Sequence, residues 1–409
     1  MKNKLIILSL ILSSFSYGKS LSFDESLELY TGNNLSIKNI QLNKEIRNAS
    51  EKDLINSINN NLMLSGKSTY ASDKIGIESK ISYKNFYLSA RENDVSKSDP
   101  TLSLGYERSL NEFLYNTDKG KITKNSLEME IAENTDKNQK INLIKNFSTS
   151  YLEILNLENT IKAKENLLKQ KQKEYDTAKI KEQANTLSSY EVRVIKLSVE
   201  KLQAEIALAE KEINIKKLEF KNSLNISFDF NALDIEEVKD FNVYVDDSEL
   251  KILENNIKIA QEELKGIKVS NLPQFTGGLA YEITDSDLSA SLSFSWSPLN
   301  YKGDEVVKSL SIDKLRNQLE DKKKEIDLSK IKALNEFEKA EINLNLSQKD
   351  LELAKAELEK YQTMKNLGTA SEYDYYIKQK EVLDKEIEYL SLKNQLNLNR
   401  KLEVIYGSL

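Results

Sequence analysis

The 409-residue chain carries 59 Lys and Arg against 65 Asp and Glu, a formal net charge of −6, and only 12 Gly and 3 Pro. The acidic balance opposes nucleic-acid binding; the absence of Cys rules out a disulfide-stapled domain, a thiol enzyme and an acylated lipoprotein, and the absence of His removes the Ser-His-Asp arrangement and the commonest zinc ligand. Scarce Gly and Pro with a mean hydropathy of −0.54 point to long helices wetted on more than one side rather than to a compact globule.

Residues 1–18 read as a signal peptide: Lys2 and Lys4, then apolar Leu5–Leu12, then the small-x-small site Ser16-Tyr17-Gly18. Cleavage after Gly18 removes two lysines and takes the charge from −6 to −8. After it, no apolar run reaches the ~18 residues a spanning helix needs, so membrane entry requires a closed barrel of strands.

Residues 23–55 read as a lead-in helix with Asp24 at its start, ending over 56–61. Residues 62–91 are β-prone: Ile75/Ile77 and Ile81/Tyr83 alternate, and Phe86/Leu88/Ala90 share one parity. Residues 58–74 fit either a long, irregular first strand or a loop. An odd extra strand there would deliver the following helix to the wrong side of a membrane. A polar turn spans 96–100, then Leu102, Leu104, Tyr106 and Leu110 alternate with polar residues. The first strand region is thus about 75–111.

A helix over 120–184 follows, with Ile154, Leu157, Ile161, Leu168, Tyr175 and Ala178 spaced by 3, 4 and 7. After a break at Asn185 the seam continues through Leu187, Tyr190, Val194, Leu197 and Ala204, giving a hairpin over 120–224. Sustained heptads between charged faces indicate antiparallel coiled-coil packing. Residues 227–247 form an irregular acidic connector. Then the order repeats: a helix over 248–269, a strand containing Gly277-Gly278, a turn at 283–288, alternation through Ala290, Leu292, Phe294 and Trp296, and a hairpin over 303–406 broken at Gly368. The second strand region is about 273–298.

The repeat is written most plainly at the breaks. Asn185-Thr186-Leu187-Ser188-Ser189-Tyr190-Glu191 returns 183 residues later as Gly368-Thr369-Ala370-Ser371-Glu372-Tyr373-Asp374. Residues 120–184 and 303–367 each count 65, about 100 Å of helix at ~1.5 Å per residue. The chain divides accordingly into a first repeat over 19–230 and a second over 231–409.

Leu21-Ser22-Phe23-Asp24-Glu25-Ser26-Leu27-Glu28-Leu29 with Asn33-Asn34, Leu272-Pro273-Gln274 before a strand, Ser297-Pro298-Leu299 after one, and Gly368-Thr369 between long helices together resemble the TolC-like outer-membrane efflux protein family over essentially the whole mature chain. Leu35 stands where that family usually has Pro. The resemblance implies a mainly α protein with a membrane β-barrel part. As a homotrimer it would give four strands per chain to a 12-stranded barrel in outer-membrane lipid and four helices to a 12-helix barrel reaching into the periplasm. It implies a passive exit duct for efflux or type I secretion, with no cofactor, docked to a periplasmic adaptor and an inner-membrane pump. A soluble periplasmic coiled-coil adaptor or structural protein is the alternative, disfavoured by two amphipathic strand regions. No Walker A, HExxH or nucleophile-elbow motif in a usable context supports an enzyme.

On that resemblance the turns Asn185-Thr186 and Gly368-Thr369 are periplasmic tips. Asp374 falls where the family places an acidic ring, and Glu191 is its counterpart in the first repeat; Ile377 stands where the family carries a second acidic ring, so that ring is either missing here or supplied by Glu372. Rings of carboxylates favour cations and resist anions. Arg193 and Lys365 are candidates to hold the tips by ion pairs. The plainer account of Asp374 and Glu191 is complementation of a helix N-terminus. Tyr83, Phe86, Tyr106, Phe113, Tyr115, Tyr281, Trp296 and Tyr301 are candidate interfacial aromatics.

Overall fold

A computed structural model describes residues 19–71, 74–94, 100–296 and 303–409. The expected signal peptide, the loop at 96–99, the Ser297-Pro298-Leu299 motif and Tyr301 lie outside the described residues. The elements in chain order are β1 (Lys19–Leu21), α1 (Phe23–Asn33), α2 (Leu35–Asn59), β2 (Leu62–Ala71), β3 (Lys74–Tyr83), β4 (Phe86–Glu92), β5 (Thr101–Ser109), α3 (Thr117–Gln183), α4 (Ser189–Leu224), β6 (Phe230–Ala232), α5 (Ser248–Ser270), β7 (Gln274–Glu282), β8 (Asp287–Ser295), α6 (Gly303–Asn366) and α7 (Glu372–Ser408). No described helix is long and apolar enough to cross a membrane.

The chain forms two compact units. The first holds residues up to 39, 138–245 and 326–409. Its core is an aromatic cluster in which Phe23, Tyr30, Phe147, Tyr151, Phe220 and Phe230 touch ring to ring, with Tyr30 stacked on Phe147 at 4.6 Å. Buried Tyr151 places its hydroxyl 2.8 Å from the carbonyls of Leu21 and Leu233 and accepts from the Leu233 amide. That hydroxyl satisfies backbone left open where β1 pairs in parallel with β6. The acidic connector is therefore less irregular than its composition implies, since it supplies β6. Its later part is pinned on α7, where Asn397 donates to the Ile235 carbonyl and Arg400 meets Glu237.

The lead-in helix, expected as one piece over 23–55, is two. The Asn34 side chain accepts from the amides of Ser36 and Ile37 and starts α2 afresh. Ser22 and Glu25 form a reciprocal capping box at the head of α1.

The second unit holds residues 40–137 and 246–325. Ile257, Ala260 and Ile312 form a small apolar cluster, and charged pairs lace the helices around it: Arg47 with Asp136, Lys44 with Glu133, and Glu263 with both Lys124 and Lys308. Its sheet is antiparallel throughout and open, in the order β2-β3-β4-β5-β7-β8. Asn111, just after β5, clamps the start of β7 by donating to the Pro273 carbonyl and accepting from the Phe275 amide.

Among the described residues the sheet holds six strands, where the family resemblance implied four. Residues 62–71 are a full strand, and the first half contributes four strands, the second half two. The count stays even in both halves, so each strand run begins and ends on the helix side of the sheet.

Candidate functional site

Strand register decides what the sheet can do. Leu62, Leu64 and Tyr70 of β2 lie opposite Tyr83, Ile81 and Ile75 of β3. The same parity continues through Phe86 and Leu88, then Tyr106 and Leu104, then Leu279 and Tyr281, then Ala290 and Leu288. One face of all six strands is mainly apolar, broken at Ser68, Ser79, Glu92 and Arg108, and its large side chains are largely exposed, Leu64 by 76% and Leu292 by 72%. The other face is polar: Ser65, Lys67, Lys80, Ser89, Glu107, Ser291 and Ser293 among others. Five of the six strands have 9 or 10 residues, the length of a tilted bilayer crossing of about 9–11, and β4 with 7 is shorter. Exposed apolar and polar faces of this extent fit a wall between lipid and water.

Within the polar face, Tyr87 lies across Gly105, and a side chain at 105 would meet its ring at 2.2 Å. Among the aromatic candidates, Tyr83, Phe86, Tyr106 and Tyr281 stand on the apolar face, with Phe86 edge-on to Tyr106 at 5.0 Å. Trp296 and Phe113 are exposed, and Phe113 lies under the Arg108 guanidinium. Tyr115 instead packs on Gly120 and Gly266.

The two tips in the first unit share one construction. At the first, Asn185 adopts φ 56° and its amide donates to the Glu182 carbonyl, while the Thr186 amide and hydroxyl reach the Lys181 carbonyl at 2.8 and 3.0 Å. At the second, Gly368 adopts φ 73°, its amide donates to the Lys365 carbonyl, and the Thr369 amide and hydroxyl reach the Met364 carbonyl at 2.8 and 3.0 Å. Both are left-handed helix stops that absorb orphan carbonyls. Each is followed by a capping box. The Ser188 hydroxyl donates to the Glu191 carboxylate at 2.7 Å, and the Ser371 hydroxyl to the Asp374 carboxylate at 2.6 Å. The Glu191 and Asp374 amides donate back to those hydroxyls. The serine hydroxyls, and then the serine amides, hold both carboxyls below their ordinary pKa values.

The remaining candidates separate. Lys365 bridges to Glu372 at 2.7 Å and lies over the Tyr375 ring at 4.5 Å. Ile377 is exposed. Arg193 is exposed and makes no ion pair among the described residues.

Three further lysines, absent from the sequence-based candidates, matter in the structure. Lys171, only 1% exposed, pairs with Glu174 at 2.7 Å beneath Tyr375 and Tyr376, and Gln379 of α7 donates to that same Glu174. Burial pushes the Lys171 ammonium below the usual lysine pKa, against the pull of Glu174. Glu205 of α4 joins Lys164 of α3, at 3.0 Å, to Lys380 of α7, at 3.3 Å. The signal is in the spacing: Lys164 and Lys171 complete the 3-4 seam between Ile161, Leu168 and Tyr175.

No family model and no curated protein matches the sequence. Solved structures do share the fold. The outer membrane protein VceC of Vibrio cholerae is 12% identical with a TM-score of 0.64, over 94% of this chain and 95% of that one. A membrane protein from Pseudomonas aeruginosa is 10% identical with a TM-score of 0.71, over 94% and 92%. The open state of the MtrE outer membrane channel of Neisseria gonorrhoeae is 14% identical with a TM-score of 0.68, over 94% and 89%.

Proposed function

We propose that this chain is an outer-membrane exit duct for efflux or type I secretion, assembled as a homotrimer and extending into the periplasm. The observation that carries the reading is the sheet, whose exposed apolar face draws on all six strands, with polar places at Ser68, Ser79, Glu92 and Arg108, while its opposite face is polar. A soluble adaptor has no use for such a face, which would drive aggregation in water. The shared fold with outer membrane channels supports the same reading. The duct is passive: an inner-membrane pump supplies energy, and a periplasmic adaptor docks on the helices. The two strand-and-hairpin halves are copies of one unit, 19–230 and 231–409. Asp374 lines the entrance, with Glu191 in a lesser part, and Glu372, Lys365 and Arg193 set the charge around the tips.

Membrane fractionation and planar bilayers test this. The mature protein is expected in the outer-membrane fraction and conducts ions as an oligomer. Asp374→Ala raises conductance or weakens block by divalent cations. A mature protein recovered soluble without detergent would sink the reading, and an unchanged Asp374→Ala channel would remove that residue from the entrance while leaving the duct.

A further inference from the structure

The edges of the six-stranded sheet are unfinished. β2 and β8 each present one side of their backbone to no other strand of the chain among the described residues. Leu62 and Leu64 on one edge, and Leu288, Leu292 and Phe294 on the other, belong to the exposed apolar face. If that face meets lipid, both edges lie in hydrocarbon, where unpaired N–H and C=O groups find no water. Six strands cannot close alone, since the smallest membrane barrels have eight. The partner that completes both edges is another copy of this chain. β2 leads away from α2 and β8 leads into α6, with every neighbouring pair antiparallel, so β2 and β8 run in opposite senses. They can therefore pair antiparallel between copies, head to tail, around a ring.

We propose that the β2–β3 hairpin is part of the membrane wall, and that three copies close an 18-stranded barrel by pairing β2 of each with β8 of the next. The inference rests on the channel reading above, which takes three copies. It replaces the 12 strands that four per chain would give. The hairpin has the credentials of a wall segment. Its two strands of 10 residues are the longest in the sheet, and their register carries the apolar parity on from β4 without a slip. Barrel diameter grows roughly linearly with strand number, so at equal tilt the bore is about 1.5 times wider than with 12 strands and its cross-section about 2.3 times larger. Barrels of 16–18 strands hold an open aqueous channel. Here the lining would be the polar parity, rich in serine on β8, with Lys67 and Lys80 from the hairpin.

Cysteine pairs test the closure, because the natural chain has none. In the full chain in outer membranes, Ser65→Cys or Thr69→Cys on β2 is combined with Ser289→Cys, Ser291→Cys or Ser293→Cys on β8. Oxidation is expected to convert at least one pair into a denaturant-resistant ladder ending at three copies. If the hairpin lies off the wall, β4 is the free edge, and Ser89→Cys cross-links to β8 instead; that result overturns the proposal. So does a ladder ending at two copies, or an inserted oligomer in which no β2 pair cross-links. A second measurement needs no register. Leu64→Cys should resist a membrane-impermeant maleimide at least tenfold longer than Ser65→Cys, becoming equally reactive after denaturation. Equal labelling before denaturation also overturns the proposal. Failure of the channel reading is distinct, because the chain would then not insert at all.

Discussion

The two helical tips are built alike and furnished differently. Their stops and capping boxes match at a constant offset of 183 residues, the second adding a bond from the Ala370 amide to the Met364 carbonyl. What surrounds them does not match. Beside the first tip, Ala178, Val192 and Ile195 form an apolar cluster with Tyr175 and Leu187. At the second, the positions equivalent to Glu182, Ser189 and Val192 are Lys365, Glu372 and Tyr375, which make an ion pair and a cation–π contact. Backbone chemistry fixes where a tip is; side-chain chemistry fixes how firmly it is held. The first is held mainly by packing, which is indifferent to salt, with Lys179 over the Tyr175 ring at 4.2 Å beside it. The second is held by charges, which salt and partners can weaken.

The largest expected effect lies where α7 meets α3. Glu174→Gln leaves the Lys171 ammonium buried without its counter-charge, and should cost about 3 kcal/mol. Lys171→Met removes the charge along with the need for a partner, and should be neutral or stabilising. Thermal melting of the purified protein in detergent checks both. Equal losses from the two variants would show that the pair acts by packing and not by charge.

The fold is legible in the sequence to the extent that local chemistry writes it. Helices with few Gly and Pro and sustained heptads can be bounded to within a few residues: the pattern places one over 303–367, and Gly303–Asn366 is found. β2 is not legible because its apolar parity reads Leu62, Leu64, Gly66, Ser68, Tyr70, so two of five places carry no apolar side chain. Ile77 on β3 stands opposite Ser68 and supplies apolar surface at that place, and pairing is a tertiary fact. The break at Asn34 is hidden because Asn sits unremarkably inside a helix until its side chain turns to cap the next one. At the tips, the Ser-x-x-Glu and Ser-x-x-Asp spacing of a capping box is present in the sequence. The seam lysines escape a sequence reading because charged residues ordinarily mark solvated faces, although 3-4 spacing puts Lys164 and Lys171 on the apolar stripe.

A smaller effect separates the two stops. A side chain added at Gly368 would find nothing within 4 Å, so Gly368→Ala meets no clash, and its cost of about 1 kcal/mol is purely that of a left-handed backbone. Asn185→Gly should change stability by less than about 0.5 kcal/mol, because Asn already tolerates that region. Amide exchange at Thr369 and Thr186, whose N–H groups close the two stops, reads each locally. A large gain at Asn185→Gly would mean that the first tip is strained and the second is not.

The smallest effect is the most discriminating. In the single chain both Glu191 and Asp374 have pKa values held below ordinary by their serines. A depressed carboxylate contributes stability that is complete above its unfolded pKa, about 4, and is lost as pH falls through the lower folded value. Acid should therefore loosen both caps in parallel, with faster exchange at the Ser188 and Ser371 amides that donate to them. Ser188→Ala and Ser371→Ala, worth about 1 kcal/mol each, remove the hydroxyl but keep the amide donor, and should therefore weaken the pH dependence at their own tip and not at the other. Assembly tests the entrance. If three Asp374 carboxylates face one bore, mutual repulsion raises their pKa, opposing the cap, whereas Glu191 moves less. Titrating the two sites in the oligomer and in the dissociated chain measures that difference. An Asp374 that titrates identically in both states is a helix cap and nothing more, and the asymmetry between the tips then ends at Lys365 and Glu372.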